Sequence, residues 1–133
     1  MNVLFVAIGS ALGGVTRWLL GDWVQRAAGG APPAVFPLGT LVINATGSFV
    51  LGVLAVALAR EVPGAPPSVT RLLLAVGFCG GYTTFSTFSL DTVALLESRG
   101  WSIAALNVFA SVGLGLAGVG VGLAVGRLVL GRG

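Results

Sequence analysis

Gly77-Phe78-Cys79-Gly80-Gly81-Tyr82-Thr83-Thr84-Phe85-Ser86-Thr87-Phe88-Ser89 lies inside a run that otherwise reads as membrane-spanning, yet its composition is wrong for a lipid-facing helix. Adjacent glycines at 80 and 81 invite the backbone to leave helical geometry, and hydroxyl and aromatic side chains then alternate. Hydrocarbon offers no partner to an unpaired N–H or C=O. Irregular backbone at that depth must therefore be buried in protein or line an aqueous cavity. The stretch predicts a transmembrane helix broken in mid-membrane, around Gly80-Gly81, with the break itself as the functional feature. The rest of the chain reads as the scaffold that holds it.

The solvent for that scaffold is lipid. Of 133 residues, 56% are hydrophobic and 8% charged, with a mean hydropathy of +1.02. A soluble domain carries about 25% charged residues, so this chain could not cover its own surface in water. Its length allows a single domain with about four spans of roughly 20 residues each. A bundle that small has little interior, and oligomerisation is the natural way to wall a pathway. Histidine is absent, Cys79 is the sole cysteine, and the carboxylates are Asp22, Glu61, Asp91 and Glu97. These exclude an internal disulfide, a His/Cys transition-metal cluster and a Ser–His or Cys–His nucleophile pair. The chain is expected not to be an enzyme. The seven basic residues are all arginines scattered one at a time, which argues for interface anchors and against nucleic-acid binding.

Four spans follow from the apolar runs, at about 2–20, 38–59, 72–96 and 102–125. The first lacks the basic start and small-residue cleavage site of a removable signal peptide. Its Gly9 and Gly13 form a small-xxx-small pair for close helix approach. Arg17 stands near its end, with Trp18 beside it and Trp23 just beyond; it reads either as an interfacial anchor in an aromatic belt or as a guanidinium at the mouth of an anion path. Gly21 to Pro37 reads as a loop, since Gly29-Gly30 and Pro32-Pro33 oppose a helix. In the second span Thr40, Asn44, Gly47, Ser48 and Gly52 recur at helical spacing as one small, polar stripe. Asn44 offers two donors and an acceptor there, for an interhelical bond or for a ligand. Arg60 to Arg71 is a short proline-rich connection. The third span exceeds what a straight helix needs to cross the bilayer core, and the break takes up the excess. Asp91 follows about two turns later, either as an intramembrane functional carboxylate or as an interfacial one. Glu97 to Gly100 forms a tight turn before Trp101. The fourth span carries Asn107 and Ser111, then a glycine ladder at 118, 122 and 126 that reads as a packing face.

Four spans put both termini and the Arg60–Arg71 connection on one side, with Arg60, Arg71, Arg127 and Arg132. Arg17, Arg26 and Arg99 lie on the other. Four against three gives almost no bias under the positive-inside rule. Insertion in both senses is expected, and an antiparallel homodimer follows naturally from it. The break supplies freed carbonyls, half-helix termini, the hydroxyls of Ser86 and Thr87, and the Asn44 amide. It lacks the acidic ring of a cation filter. The ring edges of Phe85 and Phe88, which share a helix face, carry positive partial charge. The residues alone thus describe a polar and aromatic pore with a weak preference for anions, beside the alternative that both phenylalanines simply pack.

The run from Gly77 to Phe88 resembles the third-helix signature of the Fluc (CrcB-type) fluoride channel family. Gly39-Thr40-Leu41-Val42-Ile43-Asn44-Ala45-Thr46-Gly47-Ser48-Phe49 is similar to its second-helix motif, and Gly13-Gly14-Val15-Thr16-Arg17 to its first-helix glycine–arginine pattern. The match runs nearly end to end. It implies an all-α membrane protein that forms an antiparallel dual-topology dimer with two fluoride pathways. It also implies a structural sodium ion at the dimer interface, held by backbone carbonyls at positions matching Gly80 and Thr83. By the same correspondence Phe85, Phe88 and Asn44 line the pathway, Ser86 and Thr87 supply hydroxyls near it, and Arg17 stands by its vestibule. Two departures stand out. Asp91 replaces a usual glutamate, and in a polar track on the fourth helix Asn107 takes the first step, usually a tyrosine, Ser111 the second, and Gly115 the third, so the first and last members differ. The function implied is passive, fluoride-selective export across a prokaryotic inner membrane, with fluoride, membrane lipid and a second copy as partners. The rival is a small four-helix dual-topology drug/proton antiporter, which needs a carboxylate deep in its chamber.

Overall fold

A computed structural model describes residues 2–33, 35–59 and 67–130. Among them the chain is helical apart from short connections. Helix α1 spans Asn2–Ala27 and α2 spans Leu38–Leu58. Helix α3 is wound as a π-helix over Arg71–Cys79 and continues as an α-helix through Gly80–Tyr82; α4 is Phe85–Arg99 and α5 Trp101–Leu130. Taking α3 and α4 as one crossing, four segments are long and apolar enough to span a membrane. The connecting residues Arg60, Glu61, Pro63 and Pro66, and Arg132 at the end, lie outside the described residues.

Three boundaries differ from the sequence expectation. Helix α1 runs past Gly21 to Ala27 rather than ending near residue 20. Gly21 is spent on helix contact instead of a turn: its carbonyl meets the place where a side chain at Gly39 would project. The added turn is tied by the Asp22–Arg26 ion pair, 2.7 Å, at i,i+4 spacing. The Gln25 side chain then fastens the connection. Its Nε2 donates to the carbonyls of Gly30 and Phe36 at 2.6 and 3.1 Å, and its Oε1 accepts from Gly39 N at 3.0 Å, satisfying a first-turn amide of α2. Helix α5 likewise continues to Leu130, beyond the expected end at 125. The turn before it contracts to Gly100, whose φ of +84° only glycine adopts freely.

Glycines decide which helices touch. Gly9 and Gly13 on α1 face Leu73, Gly77, Phe78 and Tyr82 on α3 in the same chain direction, so α1 and α3 run parallel. On α5, Gly118, Gly122 and Gly126 meet Ala45, Phe49, Gly52 and Val56 of α2 in ascending order, making a second parallel pair. A Cβ at Gly122 would strike the Phe49 carbonyl, so backbone-to-backbone contact here depends on glycine. Gln25 and the Gly21–Gly39 contact join the pairs at one end. In the middle, Thr46 and Tyr82 hydroxyls join α2 to α3 at 2.8 Å. Outward faces are apolar; Val3, Trp18, Trp23, Trp101, Phe109 and Leu116 are each more than three-fifths exposed, as lipid contact requires.

Candidate functional site

The third crossing is broken, but three residues later than its glycines suggest. Gly80 has φ −63° and ψ −37°, within the helix, and Gly81 is helical too. What Gly81 provides is room: a Cβ there would lie 2.5 Å from the Ser10 carbonyl oxygen of α1. The chain leaves helical geometry at Thr83 (φ −82°, ψ 158°) and Thr84 (φ −150°, ψ 114°), both extended, and re-enters it at Phe85. β-Branched threonine suits extended backbone and polar caps better than a helix interior. The Thr84 hydroxyl caps α4 by accepting from Thr87 N at 3.2 Å.

Asn44 holds the break open. Its Oδ1 accepts from Thr84 N at 2.8 Å, and its Nδ2 donates to the Thr84 carbonyl at 3.0 Å. A continuing helix would send the Thr84 N–H to the Gly80 carbonyl; the asparagine takes it instead. Among the described residues, the only backbone bond that crosses from the break to the preceding turn is Thr83 N to Cys79 O, 3.0 Å. The carbonyls of Gly80, Gly81 and Tyr82 thus end α3 without backbone donors. Arg17 comes in from α1, its Nη1 donating to the Thr83 carbonyl at 3.4 Å. The negative end of α3 and the positive end of α4 meet at this place.

Two cavities flank it, with Thr84 bordering both. The first, about 380 Å³, gathers Asn44, Gly80, Thr83, Phe85, Phe88 and Ser111. Phe85 and Phe88 form a tilted pair, centroids 5.6 Å apart, and Phe85 is 78% exposed. The second, about 450 Å³, contains Arg17, Thr87, Thr40 and Asp91. The proposed pathway residues are therefore divided: Arg17 and Thr87 lie on one side of Thr84, the phenylalanines and Ser111 on the other. Ser86 lines neither cavity, and its hydroxyl shares a hydrogen bond with Thr84 Oγ1 at 3.2 Å. Asp91 is buried, its Oδ2 accepting from the Thr40 hydroxyl at 2.7 Å. Asn107, expected to lead into Ser111, is buried against α4 and donates to Thr92 Oγ1 at 2.8 Å. Its partner sets it apart from the groove. Thr84 itself is the residue sequence reasoning passed over. A threonine three places after a glycine pair gives no signal of its own until Asn44 is seen to bind its backbone.

The donor set suits a hard monovalent cation at α3's end in chemistry: neutral carbonyl oxygens, with open space beside Gly80 Cα. The Gly80 and Thr83 carbonyl oxygens of one chain are too few to replace a hydration shell, and Arg17 already engages the one from Thr83. A second copy related by a twofold axis would double the set.

The sequence matches the model of the family described as CrcB-like protein, Camphor Resistance (CrcB), over residues 4–123. It is 46% identical over 128 residues to the fluoride-specific ion channel FluC of Rhizobium johnstonii, covering 96% of this chain and 97% of that one. It is 44% identical to the FluC of Rhizobium etli, covering 98% and 99%, and 41% identical to that of Coxiella burnetii, covering 96% and 98%. Full-length likeness at this level, on four spans with a broken third, means that the chain belongs to the CrcB-like family.

Proposed function

We propose that this protein is a fluoride-selective passive channel of the bacterial inner membrane that lets cytoplasmic fluoride leave down its gradient. The observation that carries the reading is the first cavity. Its wall is an aromatic pair and an asparagine at the positive end of α4, and none of its lining residues is charged. A small, strongly hydrated anion needs donors and positive partial charge without a fixed cation to trap it. The Asn44 amide, the Ser111 hydroxyl, and phenylalanine ring edges meet that requirement. Arg17 and Thr87 in the second cavity would serve as the approach, where a guanidinium raises local anion concentration. The relatives named fluoride-specific ion channels support the substrate.

The working unit in this reading is an antiparallel homodimer. A Phe85 ring 78% exposed is a poor wall on its own and a good one when a second copy covers it. A sodium ion on the Gly80 and Thr83 carbonyls of both copies would fasten the dimer by neutralising the negative ends of two α3 helices. The antiporter reading fares worse, since its obligatory carboxylate is missing from the first cavity and Asp91 is hydrogen-bonded in the other. Purified protein in liposomes loaded with fluoride tests the proposal. Rapid efflux that ignores a proton gradient is expected; efflux strictly coupled to protons, or none, overturns it.

A further inference from the structure

We infer that Ser48 of α2 is a further anion-contacting residue, pairing with Ser111 of α5 across the first cavity; the inference rests on the channel reading above. Hydroxyls on membrane helices ordinarily bond back to the carbonyl four residues earlier. Thr16, Thr46, Ser89, Thr92 and Ser98 all do so here, at 2.6–2.9 Å. Among the described residues Ser48 and Ser111 do not, in common with Ser10, Thr70 and Ser102; what sets the pair apart is that both line the cavity that holds Asn44 and Phe88. Each is half-buried, so neither is simply solvated surface.

Glycine makes the space. Ser48 Oγ lies 3.7 Å from where a Cβ at Gly115 would stand, one turn beyond Ser111 on α5. The fourth helix carries no hydroxyl at that step, and the second helix supplies one to the same place. Two unpartnered O–H donors and the second Asn44 N–H can thus converge on one small halide between α2 and α5. A hydroxyl aimed at an anion contributes more than one aimed at a neutral carbonyl, which gives Ser48 weight in occupancy and hence in flux.

Fluoride efflux from liposomes, with chloride efflux alongside, is the test. S48A is expected to slow fluoride efflux about tenfold, as loss of one donor to a charged ligand does. Placing the hydroxyl on the opposite wall, S48A/G115S, is expected to restore most of it. A gel-filtration profile matching the native protein certifies each variant as folded. If the double variant does not fold, S48T, which keeps the hydroxyl, is compared with S48V, which has the same shape without it; the former should conduct at close to the native rate and the latter about tenfold more slowly. Native-like efflux in S48A overturns the inference, as does a loss that neither a hydroxyl at 115 nor threonine at 48 repairs. If the unmodified protein itself passes no fluoride, the channel reading fails first, so the two failures are distinguishable.

Discussion

Replacing Asn44 by alanine probes the break most sharply, because one side chain satisfies both backbone groups of Thr84, a residue only 8% exposed. Alanine leaves an N–H and a C=O unpaired. Each buried, unsatisfied polar group costs about 1–3 kcal/mol. Thr84 borders both cavities, where water can take up one of the vacated bonds. The net loss is therefore about 2–4 kcal/mol rather than the upper sum of about 6 kcal/mol. Chemical denaturation of the detergent-solubilised protein would measure it, with Ser98→Ala as control. Ser98 is exposed and bonds only the Ala94 carbonyl, so its loss should stay within about 0.5 kcal/mol. Fluoride efflux of Asn44→Ala should fall as well, since Thr84 no longer holds Phe85 at the helix start. A variant with unchanged midpoint and unchanged flux would refute the claim that Asn44 organises the break.

The remaining expectations concern wall, packing and clasp. Phe85→Ile should lower fluoride flux at least about tenfold while leaving the helix bundle folded, because the side chain lies outside the core of the single chain; a variant that loses its fold together with its flux would make Phe85 a packing residue. Gly122→Ala should destabilise by about 2–3 kcal/mol, since its methyl meets the Phe49 backbone. Gly120→Ala, which points into open space, should be neutral or slightly stabilising in the same denaturation series. Gln25→Ala removes three hydrogen bonds at the α1–α2 connection and should cost about 2–3 kcal/mol without altering ion selectivity. A changed fluoride-to-chloride ratio would move Gln25 from clasp to pathway.

Composition alone made the fold legible. A chain with so few charges must be solvated by lipid, and the apolar runs divide naturally into four. The break was legible as a conflict between hydroxyl-rich sequence and membrane depth, but its position was not. Gly80 and Gly81 look like helix breakers, yet whether a glycine bends the chain or admits a neighbour depends on what lies beside it. Ser10 lies beside Gly81, while Thr84's backbone had a better partner in Asn44 than in Gly80. The same limitation hid the end of α1, where Gly21 is a contact and Gln25, an unremarkable polar residue in sequence, makes three bonds. For the candidate site, residue types were readable from the motif, but their division between two cavities was not. Phe85 and Thr87 are two residues apart, which on a helix sends them to different faces.

Whether the groove beside the broken helix carries fluoride passively is read from the reversal potential of currents through the protein in a planar bilayer. Under a tenfold fluoride gradient the current should reverse at about 59 mV, the value for a single monovalent charge, and should not move when a proton gradient is added. A reversal potential that follows the proton gradient, or that ignores the fluoride gradient, would rule out passive fluoride conduction.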